Sequence, residues 1–131
     1  MHVANRYNVP VVPIGGRTGL SGGALSIHNG IGLSMERFNA IEIDEKNLQA
    51  IVGPAVVTQV FREAVKAKGL FYPPDPSSQG SCTIGGNVAE NAGGARAVKY
   101  GVTKDYVLNL EVVLPNGEII WTGANTLKNS T

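Results

Sequence analysis

Glycines and hydrogen-bonding side chains crowd one short segment that could hold an anion. Residues 13–23 contain five glycines together with Arg17, Thr18 and Ser21, and they follow Val9 to Val12, which is predicted to be a strand. Because glycine lacks a Cβ, consecutive backbone amides can approach a phosphate and surround it. The guanidinium of Arg17 and the two hydroxyls would add donors. The segment therefore predicts a phosphate-binding loop, with a flexible surface loop as the alternative.

The two commonest phosphate motifs are missing from the sequence. No Gly-x-x-x-x-Gly-Lys-Ser/Thr occurs, and no Gly-x-Gly-x-x-Gly opens a helix after a strand. A P-loop NTPase and a Rossmann domain are therefore disfavoured.

A second unusual segment runs from Tyr72 to Gly94 with few large apolar side chains. A loop of this length is uncommon in a compact domain unless it binds something. Prolines stiffen its first half, and the glycine pairs 85–86 and 93–94 allow close approach of a ligand. The segment predicts a rigid binding wall, with a loop packed only on itself as the alternative.

The remaining elements predict an α+β domain with a mixed or antiparallel sheet and covering helices. Apolar spacings of three and four predict an amphipathic helix at 56–68, ended by Gly69, that covers one face of the sheet. Short runs of residues that favour β-structure predict a strand at 31–35 and two hairpins. The first hairpin pairs 41–43 with 48–52, and the second pairs 107–114 with 118–122.

Composition narrows the classes of partner and compartment. The 131 residues, 43% of them hydrophobic, suit one domain with a real core, and the net charge of +1 with scattered basic residues argues against nucleic acid. Cys82 is the only cysteine and no secretion signal precedes it, which favours a reducing cytoplasm; we expect it to be a small packed residue. No run is long enough to span a membrane. Isolated His2 and His28 suggest no metal site, and no catalytic residue can be assigned.

Five motifs, in order, resemble the FAD-binding domain of the FAD-linked oxidases, the PCMH type of the vanillyl-alcohol-oxidase fold. Within these oxidases, the group of D-lactate dehydrogenases and flavin-binding glycolate oxidase chains is the most similar. The motifs occupy residues 11–23, 71–78, 84–87, 90–94 and 99–102, so the resemblance covers nearly the whole chain.

The resemblance implies a set of cofactor residues. The pyrophosphate of FAD would lie on the amides of Ile14, Gly15, Gly16, Arg17, Thr18 and Gly19 and on the Thr18 hydroxyl. The flavin and ribityl side would be lined by Asp75, Ser78, Gly85, Gly86 and Asn87, and the rest of the cofactor by Ala92, Gly93, Gly94 and Gly101. Pro74 and Thr83 would also contact the cofactor. Covalent relatives place a histidine directly after the first glycine pair, where this chain has Arg17, so the resemblance implies non-covalent FAD. Because the backbone of Gly16 would meet the cofactor, we expect Gly16→Val to abolish FAD retention and leave the secondary structure unchanged.

The resemblance also implies an activity and a larger protein. Relatives pass a hydride from a small D-2-hydroxy acid to the flavin, and a cap domain supplies the substrate-side residues and often a metal. Residues 1–131 would then be an FAD-binding domain, inactive alone, that lacks an N-terminal segment, the C-terminal end of the domain and the cap. Two alternatives stay open: a non-catalytic truncated module that self-associates through exposed sheet edges, or a flavoenzyme of the same fold with another substrate, such as a cell-wall precursor reductase.

Overall fold

Within residues 1–124 the strands pair in three separate two-stranded sheets. The computed structural model describes residues 1–124, so the last residues of the predicted domain, 125–131, lie outside the described residues. One sheet is parallel and two are antiparallel hairpins: β1 (Val11–Ile14) with β2 (Ile31–Ser34), β3 (Ile41–Asp44) with β4 (Gln49–Val52), and β5 (Glu111–Val113) with β6 (Ile119–Trp121). Parallel neighbours need a long crossover connection; here it is residues 15–30, which include most of the glycine-rich segment.

Most strand predictions are confirmed, but two were too long or displaced. The Val9 amide donates to the carbonyl of Ala4 (2.8 Å) in the turn that ends helix α1 (His2–Arg6), and Asn8 is left-handed (φ 53°), so β1 begins at Val11 and not at Val9. Residues Thr103–Tyr106 form a 3₁₀ helix, and the predicted strand at 107–114 is confined to β5. In both places local turn hydrogen bonds compete with strand pairing.

The core lies between helix α2 (Thr58–Ala67) and the β3–β4 hairpin. Phe61 and Val65 of the helix are buried with Val56, and the Phe61 ring meets Tyr72 edge-on at 4.9 Å between ring centroids. Burial also raises the pKa of the Tyr72 phenol above its ordinary value. The predicted helix is confirmed; it ends at Ala67, and Gly69, two residues later, has a φ of +72° that suits a glycine just beyond a helix.

The structure corrects the prediction that residues 72–94 form one long loop. Helix α3 (Ile84–Glu90) forms inside this segment, and α4 (Ala97–Tyr100) follows it. Glycines at 85 and 86 lower intrinsic helix propensity, but Ile84 packs on the core and Asn87 is buried, so tertiary contacts determine the conformation. Among residues 1–124 no helix has the length and apolar character needed to cross a bilayer.

Candidate functional site

The two segments singled out by the sequence lie against each other. A Cβ placed on Gly16 would come within 2.2 Å of the Ser81 carbonyl oxygen, and one on Gly15 within 2.6 Å of the Thr83 hydroxyl. Farther along, the Ser21 hydroxyl donates to the Glu90 carboxylate. We call this junction between residues 15–23 and 81–90 the seam.

The loop side of the seam presents free backbone donors. Within the described part of the chain, the amides of residues 15–21 have no hydrogen-bond acceptor. Arg17 is exposed in a left-handed conformation (φ 55°), and Thr18 is half-buried. Left-handed residues among right-handed or extended ones turn successive amides toward one point, the geometry that binds phosphate oxygens.

The opposite side of the seam carries a buried hydroxyl with no partner among the described residues. Thr83 is 7% exposed, and its Oγ1 makes no hydrogen bond. That oxygen lies 3.5 Å from the position a Cβ would take on Gly86, as well as beside Gly15. A buried hydroxyl left unpaired costs about 1–3 kcal/mol, so Thr83 is chemically suited to bond a ligand that reaches the seam.

The predicted glycines fall into two groups that differ in what a side chain would meet. In the first group, a Cβ would come closer than 3.0 Å to another atom of the protein: Gly15 (beside the Thr83 hydroxyl), Gly16, Gly85 (beside Pro54), Gly94 (beside the Asp75 carbonyl) and Gly101 (beside Asp105). A Cβ on Gly93 would lie 3.2 Å from its nearest atom, which is only slightly less tight. Gly19 and Gly86 instead have ordinary room, with nearest atoms at 3.4 and 3.5 Å.

This division corrects the expectation for Gly16→Val. Its side chain would collide with the backbone of Ser81, so the variant must disturb the fold at the seam before any ligand is considered. If that variant lost FAD, the loss would therefore not show that Gly16 contacts FAD.

Asp75 organises the wall beside the seam through two arginines. Arg62 of α2 donates to one carboxylate oxygen, and Arg96 Nε forms an ion pair with the other at 3.1 Å. The Asp75 side chain is 15% exposed, and its amide donates to the Gly93 carbonyl (3.3 Å). Asp75 therefore ties α2 to residues 93–96 and leaves the cluster with an excess of positive charge. Its buried neighbour Pro74 stiffens the same stretch.

A buried polar chain fixes α3 against α2. Asn87 Nδ2 donates to Thr58 Oγ1 (2.7 Å), and that hydroxyl lies 3.2 Å from the Cys82 carbonyl oxygen. All three residues are buried, which confirms Cys82 as a packed small residue. Because the Asn87 amide nitrogen is engaged inside the protein, its contact with a cofactor stays a prediction, and its observed action is to hold the helix that carries Gly85 and Gly86.

The other predicted residues lie at turns of the wall. The Ser78 carbonyl accepts from the amides of Ser81 and Cys82, and the Ala92 carbonyl accepts from Thr103. His2 and His28 are exposed, and residues 1–124 contain no cluster of His, Cys, Asp or Glu suited to a metal ion.

Three contributors to the site were missed from the sequence: Thr58, Arg62 and Glu90. The spacing of residues along α2 shows that Thr58 and Arg62 share a helix, but not which segment they contact. Glu90 lies inside a recognised motif, yet its partner Ser21 is 69 residues away.

A sequence profile described as an FAD binding domain matches residues 1–123. The chain belongs to this family of FAD-binding domains. It is 52% identical over 128 residues to the glycolate oxidase subunit GlcD of Bacillus subtilis, covering 97% of this chain and 27% of that protein. It is 46% identical over 128 residues to a D-lactate dehydrogenase of Archaeoglobus fulgidus, covering 98% and 29%. This FAD-binding domain thus spans under a third of the length of either relative.

Comparison with solved structures agrees on the fold. The 6-hydroxy-D-nicotine oxidase of Arthrobacter nicotinovorans superposes with a TM-score of 0.79 at 22% identity, over 92% of this chain and 26% of that one. The expected family and the α+β fold class are therefore confirmed, and the cofactor of this domain family is FAD.

Proposed function

We propose that FAD lies along the seam, with its pyrophosphate on the amides of Ile14 to Gly19 and the Thr18 hydroxyl. The observation that carries this proposal is the buried, unpartnered Thr83 hydroxyl, which faces a loop whose amides also have no acceptor in residues 1–124. Charge supports it, because Arg17 is exposed and free of an ion pair among the described residues. Bound FAD would supply hydride acceptance, which no side chain offers.

The remaining predicted residues would serve the flavin side and the rest of the cofactor in two ways. Thr83 would bond the cofactor directly, and Gly86 would leave room for it. The others would hold the wall in shape through the contacts described above: Pro74, Asp75, Ser78, Gly85, Asn87, Ala92, Gly93, Gly94 and Gly101.

A fluorescence titration of the 131-residue chain with FAD tests the binding site. We expect saturable quenching of flavin fluorescence at one FAD per chain, with circular dichroism showing that the protein is folded. A folded chain that leaves flavin fluorescence unchanged would contradict the proposal.

We further propose that the FAD is held without a covalent bond. The residue after the Gly15–Gly16 pair is Arg17, whose guanidinium is not a nucleophile, and the thiol of Cys82 is buried beside Thr58. Acid precipitation of the loaded protein should release all flavin into the supernatant. Yellow pellet retained after washing would refute non-covalent attachment.

For the whole protein, we propose oxidation of a small 2-hydroxy acid to the 2-oxo acid. Where the hydroxy acid is chiral, we propose that the D-enantiomer is the substrate. The activities for which the two relatives are named, glycolate oxidase and D-lactate dehydrogenase, share this substrate class. Anaerobic addition of glycolate or D-lactate to the protein that carries this domain should bleach the visible flavin band, with L-lactate as control. Bleaching by L-lactate alone would overturn the stereochemistry, and no bleaching by any of the three would overturn the substrate class.

We also propose that the 131-residue chain self-associates and works in a reducing cytoplasm. Each sheet has only two strands, so edges are unpaired within residues 1–124, and Ile119 and Trp121 of β6 are 61% and 62% exposed. Light scattering should show a mass that rises with concentration; a constant monomer mass would refute self-association.

The lone, buried Cys82 needs no oxidising compartment, and fractionation of cells should place the protein with cytoplasmic markers.

A further inference from the structure

The glycine-rich loop is held at one point by a single side-chain bond. Across residues 15–21, the hydrogen bond from the Ser21 hydroxyl to Glu90 is the only one among the described residues. Glu90 is the last residue of α3, so the bond joins the loop to the end of that helix. The carboxylate also lies against the loop backbone, 3.4 Å from the position a Cβ would take on Gly19 and 3.7 Å from that on Gly23.

A loop this rich in glycine has many accessible conformations, and binding a ligand must select one of them. The conformational entropy lost in that step weakens affinity unless the free protein has already restricted the loop. A contact that fixes the far end of residues 15–21 reduces this loss. The near end is already fixed, because it leaves strand β1 and packs at Gly16 against Ser81.

Direct contact between Glu90 and a phosphate does not explain the arrangement. An ionised carboxylate has only acceptors and carries the same sign of charge as a phosphate, so it repels that group. Its favourable interaction is with the loop itself, through Ser21.

We propose that Glu90 is a positioning residue that acts through Ser21 to hold the glycine-rich loop in its cofactor-binding shape. The inference rests on the proposed FAD site and adds a residue to which no cofactor role has been assigned. Glu90 shapes the loop amides and does not touch the cofactor.

The test compares four variants by FAD affinity: Glu90→Ala, Ser21→Ala, the double variant and Glu90→Gln. Removing either partner should weaken FAD binding about fivefold, the effect of losing one hydrogen bond, and the double variant should be no weaker than the single ones. Glu90→Gln keeps an acceptor for Ser21 and removes a negative charge, so it should bind FAD at least as well as the parent does. Glu42→Ala, an exposed carboxylate on the β3–β4 hairpin, is the matched control and should change nothing.

A second measurement decides the inference without FAD. Amide order parameters from NMR relaxation should fall toward about 0.6 or below at residues 19–23 in Glu90→Ala and stay at parental values in Glu90→Gln. Unchanged order parameters in Glu90→Ala, additive effects in the double variant, or a Glu90→Gln that behaves like Glu90→Ala would overturn the positioning role. If neither the parent protein nor any variant binds FAD, the proposed function fails. The order parameters would still decide whether Glu90 holds the loop.

Discussion

Replacing Gly86 with alanine separates the needs of the fold from the needs of the cofactor. Gly86 is exposed within α3, its φ is not in the left-handed region, and a Cβ there would meet nothing closer than the Thr83 hydroxyl at 3.5 Å. The free protein therefore accepts the methyl group at ordinary van der Waals distance. If FAD passes beside Gly86, the same methyl group occupies space that the cofactor needs.

The two effects have opposite signs. Alanine in a helix is favoured over glycine by roughly 0.5–1 kcal/mol, so Gly86→Ala should be as stable as the parent or slightly more stable. Forcing an extra methyl group into a close-packed contact costs about 1–3 kcal/mol, which corresponds to a loss of FAD affinity of about fivefold or more. A variant that gains stability and loses cofactor cannot be explained by unfolding.

Thermal denaturation without FAD and a fluorescence titration with FAD measure the two quantities. Gly69→Ala is the matched control: nothing lies within 4 Å of its Cβ position, but its φ of +72° penalises alanine by roughly 1–2 kcal/mol. It should lower the melting temperature and leave FAD affinity unchanged, the reverse of Gly86→Ala. The titration resolves differences in binding free energy below about 1 kcal/mol. If Gly86→Ala binds FAD within about twofold of the parent affinity, the reasoning is refuted.

Three further changes test the packing around the site. Gly16→Ala should lower the melting temperature whether or not FAD is present, because its Cβ overlaps the Ser81 carbonyl, and an undisturbed melting curve would contradict the described seam. Thr58→Val should cost about 1–3 kcal/mol in denaturant unfolding, because it leaves the buried amide of Asn87 without its acceptor; a change below about 0.5 kcal/mol would argue against that buried bond. Burial raises the pKa of Tyr72 above 10.0, so the folded state keeps the phenol proton that the unfolded state loses. Stability should therefore fall as pH rises above about 10, and Tyr72→Phe should reduce that slope in urea titrations; an unchanged slope would refute the effect.

Local patterns were sufficient to predict the elements with strong periodicity. Helix α2 follows from apolar residues three and four apart, and the β3–β4 hairpin from β-branched residues around a polar turn. Helix α3 could not be predicted this way, because its two glycines oppose helix formation and its stability comes from Ile84 and Asn87 packing on distant residues.

The sequence was sufficient to predict which segments form the site, but not why each of their glycines is needed. The sequence indicated that both glycine-rich segments bring backbone close to something. The structure shows that at Gly16, Gly85 and Gly94 the close neighbour is another part of the chain, whereas a Cβ on Gly86 would have ordinary van der Waals room beside the Thr83 hydroxyl. Such a distinction depends on contacts between residues far apart in sequence, and local spacing carries no information about them.

An NMR titration of the isotope-labelled chain with FAD tests the central claim most directly, because it reports each backbone amide separately. We predict that the largest shifts occur at residues 14–19 and at 83–86, the two sides of the seam, with small shifts on the β3–β4 hairpin. Saturable binding with its largest shifts away from both segments would show that FAD binds elsewhere and would contradict the account.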